Sequence, residues 1–221
     1  MTFFAISRRL WPALALWAAA LAHAGSYEDF FGAVAQDDAP AVASLLRRGF
    51  DPNTRDPNGQ HGLYLAMRNP SPKVAQVLVD FKGTEVESLN KEGESPLMIA
   101  ALKGNLDWCR TLIAHGAAVN KTGWTPLHYA ATNGHLDVIR LLLEEHAFID
   151  AESPNRTTPL MMAARYGSAD AVRLLLQEGA EPLQKNELGM TAIDFANSVR
   201  RADVADLIAQ AARQRQPRGK W

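Results

Sequence analysis

A ten-residue motif that returns at a nearly constant spacing constrains this chain more than any other feature. Its clearest copy begins at Thr125 and reads T-P-L-H-Y-A-A-T-N-G. Related copies begin at Ser95, Thr158 and Thr191, at offsets of 30, 33 and 33 residues. A period near 33 residues is typical of a repeat array, in which successive units stack on one another. A single globular enzyme domain is not expected.

The motif also predicts local structure. Thr125 can accept a hydrogen bond from an orphan N–H at a helix start, and Pro126 at the first helical position has no N–H to satisfy. Gly134 predicts the end of this helix, because glycine adopts left-handed dihedral angles at no Cβ penalty. A second, leucine-rich helix is expected from Leu136 to about Glu145. One such helix pair cannot bury its own apolar face, so stacking must stabilise it.

Residues 121–150, with the histidine after the glycine and the V-x-x-L-L-L run, resemble the ankyrin repeat. The resemblance implies an all-α ankyrin repeat solenoid of about six helix-turn-helix repeats with short β-hairpin fingers. The link from Asn120 to Thr125 is shorter than is usual in that family, so one finger should be clipped. The repeat domain is expected over 25–212, with repeats at about 26–56, 57–89, 90–120, 121–150, 151–182 and 183–212.

The first 24 residues have the anatomy of a secretory signal peptide. Arg8 and Arg9 form a positive region, Leu10 to Leu21 an apolar region, and Ala22-His23-Ala24 an A-x-A cleavage site. The apolar stretch is short for a membrane span, which takes about 20 residues. An uncleaved anchor is the alternative. Export implies a periplasmic location and no membrane span after cleavage.

The other end of the chain, residues 213–221, is basic and lacks apolar periodicity. A disordered tail is the expectation, and contact with an anionic partner or lipid head groups is the alternative. Two non-glycine residues, His146 and Arg200, occupy positions that hold glycine in other copies of the repeat. His61 occupies the position of the capping threonine, where a capping or surface histidine is expected.

No catalytic, metal or cofactor motif is found. The sequence has no G-x-S-x-G, H-E-x-x-H, Gly-rich phosphate loop or paired C-x-x-C. Its histidines fall at positions set by the repeat, and its one cysteine, Cys109, aligns with an apolar helix position. With 23 Lys+Arg against 24 Asp+Glu there is no basic excess for nucleic acid. The chain is therefore not expected to be an enzyme, to bind a cofactor or metal, or to bind nucleic acid.

What remains is recognition of another protein, by an expected monomer. The resemblance implies a concave groove made by the fingers and the exposed ends of the first helices. Trp124 with Arg165 and Tyr166 is the predicted anchor, since Trp, Tyr and Arg are enriched in binding hot spots; alternatively, Trp124 only packs on a neighbouring finger. The predicted finger contacts are Gln60, Glu94, Trp124, Thr157 and Met190. The predicted groove contacts are Arg68, Asn69, Leu102, Lys103, Thr132, Asn133, Arg165, Tyr166, Ser198 and Val199.

The partner is expected to be another periplasmic or envelope protein. An alternative role is that of an inhibitor or immunity-type protein that blocks the active site of an enzyme or toxin. A secreted factor acting on a foreign cell is a further possibility. The sequence leaves these roles open.

The cleavage site makes a direct prediction. Protein recovered from the periplasmic fraction of the native cells should begin at Gly25, which N-terminal sequencing or intact mass would reveal. An N-terminus at Met1 in a membrane fraction would contradict cleavage and favour the anchor.

Overall fold

A computed structural model describes residues 25–215, and within that range the chain forms six consecutive helix pairs and no β-strand. This confirms the predicted all-α fold. Contacts divide the chain into two compact units, one of residues 25–57 and 61–84 and one of residues 58–60 and 85–215. The helices are α1 (25–35), α2 (Ala39–Arg47), α3 (Gly62–Arg68), α4 (Pro72–Asp80), α5 (Pro96–Leu102), α6 (Leu106–Ala114), α7 (Pro126–Asn133), α8 (Leu136–Glu144), α9 (Pro159–Arg165), α10 (Ala169–Gln177), α11 (Ala192–Ser198) and α12 (Ala202–Arg215).

Unit 1 packs α1–α4 around an aromatic core. The Phe30 ring is fully buried and stacks on the Phe50 ring, with 4.6 Å between ring centroids. The turn between α1 and α2 is tied to the start of α4, because the Asp37 carboxylate accepts the Val74 N–H at 2.9 Å. His61 is fully buried and its side chain makes no capping bond to α3. The expected surface or capping role of His61 is therefore wrong.

Unit 2 consists of two helical layers. α5, α7, α9 and α11 pack side by side in an inner layer, and α6, α8, α10 and α12 form an outer layer behind them. The inner helices present alanines to one another, and Ala130, Ala131, Ala163 and Ala164 are all fully buried. The outer helices fill the space between the layers with larger residues such as Leu142 and Leu175. The helix pair is thus the repeating unit that the sequence period predicts.

Each inner helix of unit 2 begins with a capping box. The side chain three residues later accepts the backbone N–H of the motif's first residue, and three kinds of side chain serve as the acceptor. A methionine sulfur is an unusual acceptor here, and it explains how Met98 and Met161 replace a histidine. The pairs are Ser95 with Met98 (3.3 Å), Thr125 with His128 (3.2 Å), Thr158 with Met161 (3.4 Å) and Thr191 with Asp194 (2.7 Å).

Glycine serves two purposes in the motif. Gly134 ends α7 in the left-handed conformation, with φ of 69°, as predicted. Gly167 is needed for space instead, since a Cβ there would lie 2.3 Å from the carbonyl oxygen of Ala131 in the preceding inner helix. His146 and Arg200 adopt φ of 65° and 61°, so both do take the glycine conformation of the positions they fill.

Backbone N–H groups of one repeat are also accepted by side chains of the repeat before it. The Glu87 carboxylate accepts the Ala118 N–H, Asn120 accepts that of Phe148, and Asp150 accepts that of Glu181, at 2.8–3.0 Å. Burial raises the pKa of Glu87 and of Asp150, while the accepted N–H bonds oppose that rise. These bonds fix the spacing of successive outer loops.

The fingers of unit 2 are tight turns, not the predicted β-hairpins. In three of them a five-residue turn is closed by backbone bonds, Asn90 N–H to Glu94 O, Ser153 N–H to Thr157 O and Asn186 N–H to Met190 O, each at 3.0 Å. The clipped finger at 120–125 is held differently, by the Lys121 amine, which donates to the carbonyls of Thr122 and Trp124. Turns this short leave no room for a strand ladder.

α12 continues past the predicted domain end at 212. Its last residue, Arg215, donates to the carbonyl oxygens of Leu176 and Ala180 at 2.5 and 2.6 Å, at the end of α10. A cation is favourable at a helix C-terminus, where carbonyls lack partners. Residues 213–215 therefore belong to the repeat domain, which corrects the tail boundary. The rest of the predicted tail, 216–221, and the predicted signal peptide lie outside the described residues.

The only cysteine of the chain, Cys109, is fully buried in α6, as its apolar alignment predicts. Burial raises the pKa of its thiol to about 12, which keeps the unreactive thiol form at neutral pH. Within 25–215, no helix is long and apolar enough to cross a membrane.

Because stacking of the helix pairs stabilises the fold, truncation of the buried Leu142 side chain tests it. Replacing this fully buried side chain, Leu142→Ala, should lower the free energy of unfolding by about 2–5 kcal/mol, as buried leucine truncations do. Leu143→Ala, on the adjacent and only half-buried leucine, is the matched control and should cost roughly 1 kcal/mol or less. Denaturant unfolding measures both. Equal losses would show that Leu142 is not core.

Candidate protein-binding surface

The exposed ends of the inner helices of unit 2 form one continuous surface, here called the corner strip. At each corner an inner helix ends and the chain turns into its outer helix. The strip is defined as residues 102–104, 132–134, 165–167 and 198–201. The predicted groove residues of unit 2 all fall within it. Arg68, which is exposed, and Asn69, which is half-buried, occupy the equivalent corner of unit 1, at the end of α3.

Successive corners are tied together by side chains that bond to the carbonyls of the preceding helix. The Leu102 carbonyl accepts the Asn133 amide N–H at 2.7 Å and lies 2.9 Å from the His135 Nε2. Two repeats further along the chain, the Arg201 guanidinium donates to the carbonyls of Ala163 and Ala164 at 3.2 and 3.0 Å. These carbonyls lie at helix ends, where few backbone donors remain, although the Ala163 carbonyl also accepts the Gly167 N–H at 3.0 Å. The strip is therefore held rigidly at its base.

Tyr166 is the most exposed large apolar side chain of the strip. Its ring is 55% exposed, and the Arg165 guanidinium lies over it at 5.2 Å from the ring centroid. This is a cation–π distance, and the contact holds the arginine head beside the ring. The buried Arg165 Nε has no hydrogen-bond partner among residues 25–215. Two residues of the predicted anchor, Arg165 and Tyr166, therefore lie together in the structure.

The remaining strip residues differ in how accessible they are. Lys103, Asn133 and Ser198 are exposed, and Val199 is 38% exposed. Leu102 and Thr132 are half-buried, and the Thr132 hydroxyl donates to the carbonyl of His128. The strip thus presents amide, hydroxyl and ammonium groups around a small apolar centre.

Trp124, the third member of the predicted anchor, is half-buried on the clipped finger. Its ring packs edge-on against the His128 ring, with 5.1 Å between centroids. His128 in turn bonds Thr125 through Nδ1 and lies 2.9 Å from the Thr157 carbonyl through Nε2. Nδ1 accepts the Thr125 N–H, so Nε2 carries the proton that is donated to Thr157. The finger is thereby fixed to the next repeat.

Several predicted finger contacts are not available to a partner as expected. Gln60 and Thr157 are buried, because short turns direct these side chains inward. Glu94 is half-buried and accepts hydrogen bonds from the Tyr129 hydroxyl at 2.8 Å and the Asn90 amide at 2.9 Å. The burial of Gln60 and Thr157 argues against direct contact with a partner, and their contact roles stay predictions. Met190 is half-buried at the end of the last finger.

The sequence reasoning missed two strongly exposed apolar side chains. Leu188, at the tip of the last finger, is 79% exposed, and Phe148, in the loop after α8, is 68% exposed. Leu188 aligns with Asn155 and Glu92 in other fingers, so a hydrophobic residue at a polar tip position was the available signal.

Comparison with known proteins agrees with this architecture. A family model described as "Ankyrin repeats (3 copies)" matches residues 63–153 and 146–216, which together make up most of the chain. The chain is also 38% identical over 71 residues to a Danio rerio protein named "Putative palmitoyltransferase ZDHHC13". That segment is 32% of this chain and spans only 11% of the relative.

The buried histidine of the finger makes stability depend on pH. Burial lowers the pKa of His128 to about 4, so the folded state keeps it neutral while the unfolded chain is protonated below about 6.5. The unfolded state then binds more protons, and the free energy of unfolding falls as pH falls from about 6.5 towards 4. From about pH 7 to about pH 5 the loss due to His128 should be roughly 2 kcal/mol.

His128→Met is the matched test, because Met98 and Met161 already fill this position in neighbouring repeats. The variant should lose that part of the pH dependence, measured by denaturant unfolding at both pH values. His115→Gln, at an exposed histidine, should keep it. An unchanged pH dependence in His128→Met would contradict the assignment.

Proposed function

Because the chain belongs to the ankyrin repeat family, whose members are protein–protein interaction modules, we propose that it binds another periplasmic or envelope protein through the corner strip. The family is typically non-catalytic, and the proposed mechanism involves no chemical step. The observation that carries the proposal is the exposed Tyr166 ring with Arg165 held over it.

Preorganisation supports this mechanism. The corners are fixed by side-chain bonds to helix-end carbonyls, and the inner helices pack closely through alanine and Gly167. A surface that is already ordered loses little conformational entropy on binding, so more of the contact free energy appears as affinity. An aromatic side chain with only two rotatable bonds adds to this advantage.

The periplasmic location rests on the signal-like sequence of residues 1–24. The inhibitor or immunity-type role uses the same surface and differs only in the partner, which would be an enzyme or toxin whose activity falls on binding. Assay of the captured partner with and without this chain distinguishes the two roles.

Tyr166 provides the test. The full chain, Tyr166→Ala and Phe148→Ala would each be used for crosslinked capture from the native cell envelope. Phe148→Ala removes an aromatic ring of similar exposure outside the strip, so it controls for general stickiness. Loss of a hot-spot side chain costs about 2 kcal/mol, so capture by Tyr166→Ala should weaken by more than tenfold.

Both replaced rings are exposed, so neither variant should change the melting temperature. Equal capture by all three proteins would place the interface outside the strip. Loss of capture with Phe148→Ala alone would place the interface at the outer loops.

A further inference from the structure

The corner strip carries positive charge and no acidic residue. Its charged members are Lys103, Arg165, Arg200 and Arg201, whereas the whole chain has a formal net charge of −1. Lys103 and Arg200 are exposed, and Arg165 is half-buried beside the exposed Tyr166. The strip is thus positively charged, although the chain as a whole is slightly negative. Complementary charge on a partner speeds its association with such a surface and contributes to specificity.

The nearest carboxylates belong to the outer helices. Asp107, Asp137 and Asp170 stand in the first turns of α6, α8 and α10, three residues before Arg110, Arg140 and Arg173. A fourth, Asp203, stands in the first turn of α12 and has Asp206 three residues on. Side chains three residues apart lie on the same helix face. Asp170 does pair with Arg173, at 2.5 Å. The charge of Asp170 is therefore matched by a cation of its own helix.

Arg165 is poised for an anion. Its Nε is enclosed without a partner in the described chain, so a partner's carboxylate would meet the guanidinium head through its terminal nitrogens. Its guanidinium is oriented by the Tyr166 ring. Guanidinium groups bind carboxylates bidentately and in a fixed geometry, so a carboxylate is the best-matched occupant at this point.

The apolar centre of the strip is small. Tyr166 and Val199, on adjacent corners, are the exposed apolar side chains, with Arg165 and Arg200 beside them in the sequence. Neighbouring helices lie about 8–10 Å apart, so four corners extend over roughly 30 Å. An extended chain advances about 3.3 Å per residue, and about nine residues would cover that length.

We propose that the corner strip binds an extended acidic segment of a protein partner, with an apolar side chain over Tyr166 and Val199 and carboxylates at Arg165, Arg200 and Lys103. This rests on the proposed function and names the chemistry of the partner. Arg201 contributes charge while its guanidinium remains bonded to Ala163 and Ala164.

A displayed library of random dodecapeptides, selected on the purified full chain, tests the proposal without assuming a sequence. Enriched peptides should be acidic overall and contain an apolar residue. Their binding, measured by fluorescence anisotropy, should weaken with added salt because exposed charges are screened. Replacing their Glu and Asp by Gln and Asn should weaken binding by about tenfold or more.

Two variants with the same change in charge locate the site. The double variant Lys103→Glu/Arg165→Glu, in the strip, should weaken binding of the selected peptides by about tenfold or more. Arg110→Glu/Arg140→Glu, on exposed positions of the outer helices, should change binding by less than about threefold. Circular dichroism and melting of both variants establish that they remain folded.

The proposal of an acidic segment would be overturned by any of three results. These are selection of neutral or basic peptides, equal loss of binding in the two variants, or no enrichment of any peptide. The proposed function fails separately, through the Tyr166→Ala capture. If capture of a native partner depends on Tyr166 but not on Lys103→Glu/Arg165→Glu, the strip binds a protein and the charge argument is wrong. If neither variant affects capture, both proposals fall.

Discussion

The close approach of neighbouring inner helices is the constraint on which the rest of unit 2 depends. A single added carbon at Gly167 would collide with the Ala131 carbonyl, and the four alanines of α7 and α9 are fully buried. Helices packed this tightly leave their terminal carbonyls near the next corner. Asn133, His135 and Arg201 exploit that proximity. Close packing therefore determines both the stability of the stack and the rigidity of its edge.

The same constraint explains why the capping residue can vary. The start of each inner helix needs an acceptor three residues after the cap, and His128, Met98 and Asp194 each provide one, at 2.7–3.3 Å. His128 alone among these has a second ring nitrogen that reaches the next finger, at Thr157. The repeat with the shortest finger thus has the side chain that ties it to its neighbour.

The sequence predicted the repeat unit well, because its signals are local. Helix starts at Thr-Pro, the left-handed residues His146 and Arg200, and the apolar position of Cys109 follow from the dihedral and burial requirements of single positions. The exposure of the finger side chains was predicted less well. Whether Gln60 or Thr157 points inward depends on turn geometry, and the register of the motif does not specify it. The helical extent of 213–215 was missed because Arg215 is held by carbonyls far away in sequence.

The corner strip shows which positions of a repeat surface can vary without disturbing the stack. Positions that hold the stack are confined to small, apolar or capping residues, so a partner can be selected only by residues outside them. Tyr166, Lys103 and Val199 occupy such positions, and changing them costs the stack little. Arg165 is intermediate, since its head lies over Tyr166 while its Nε is enclosed by the corner. A carboxylate bound there would pair with the guanidinium head that lies beside the Tyr166 ring. For this reason the charge of the strip, more than its apolar area, is expected to decide which segment binds.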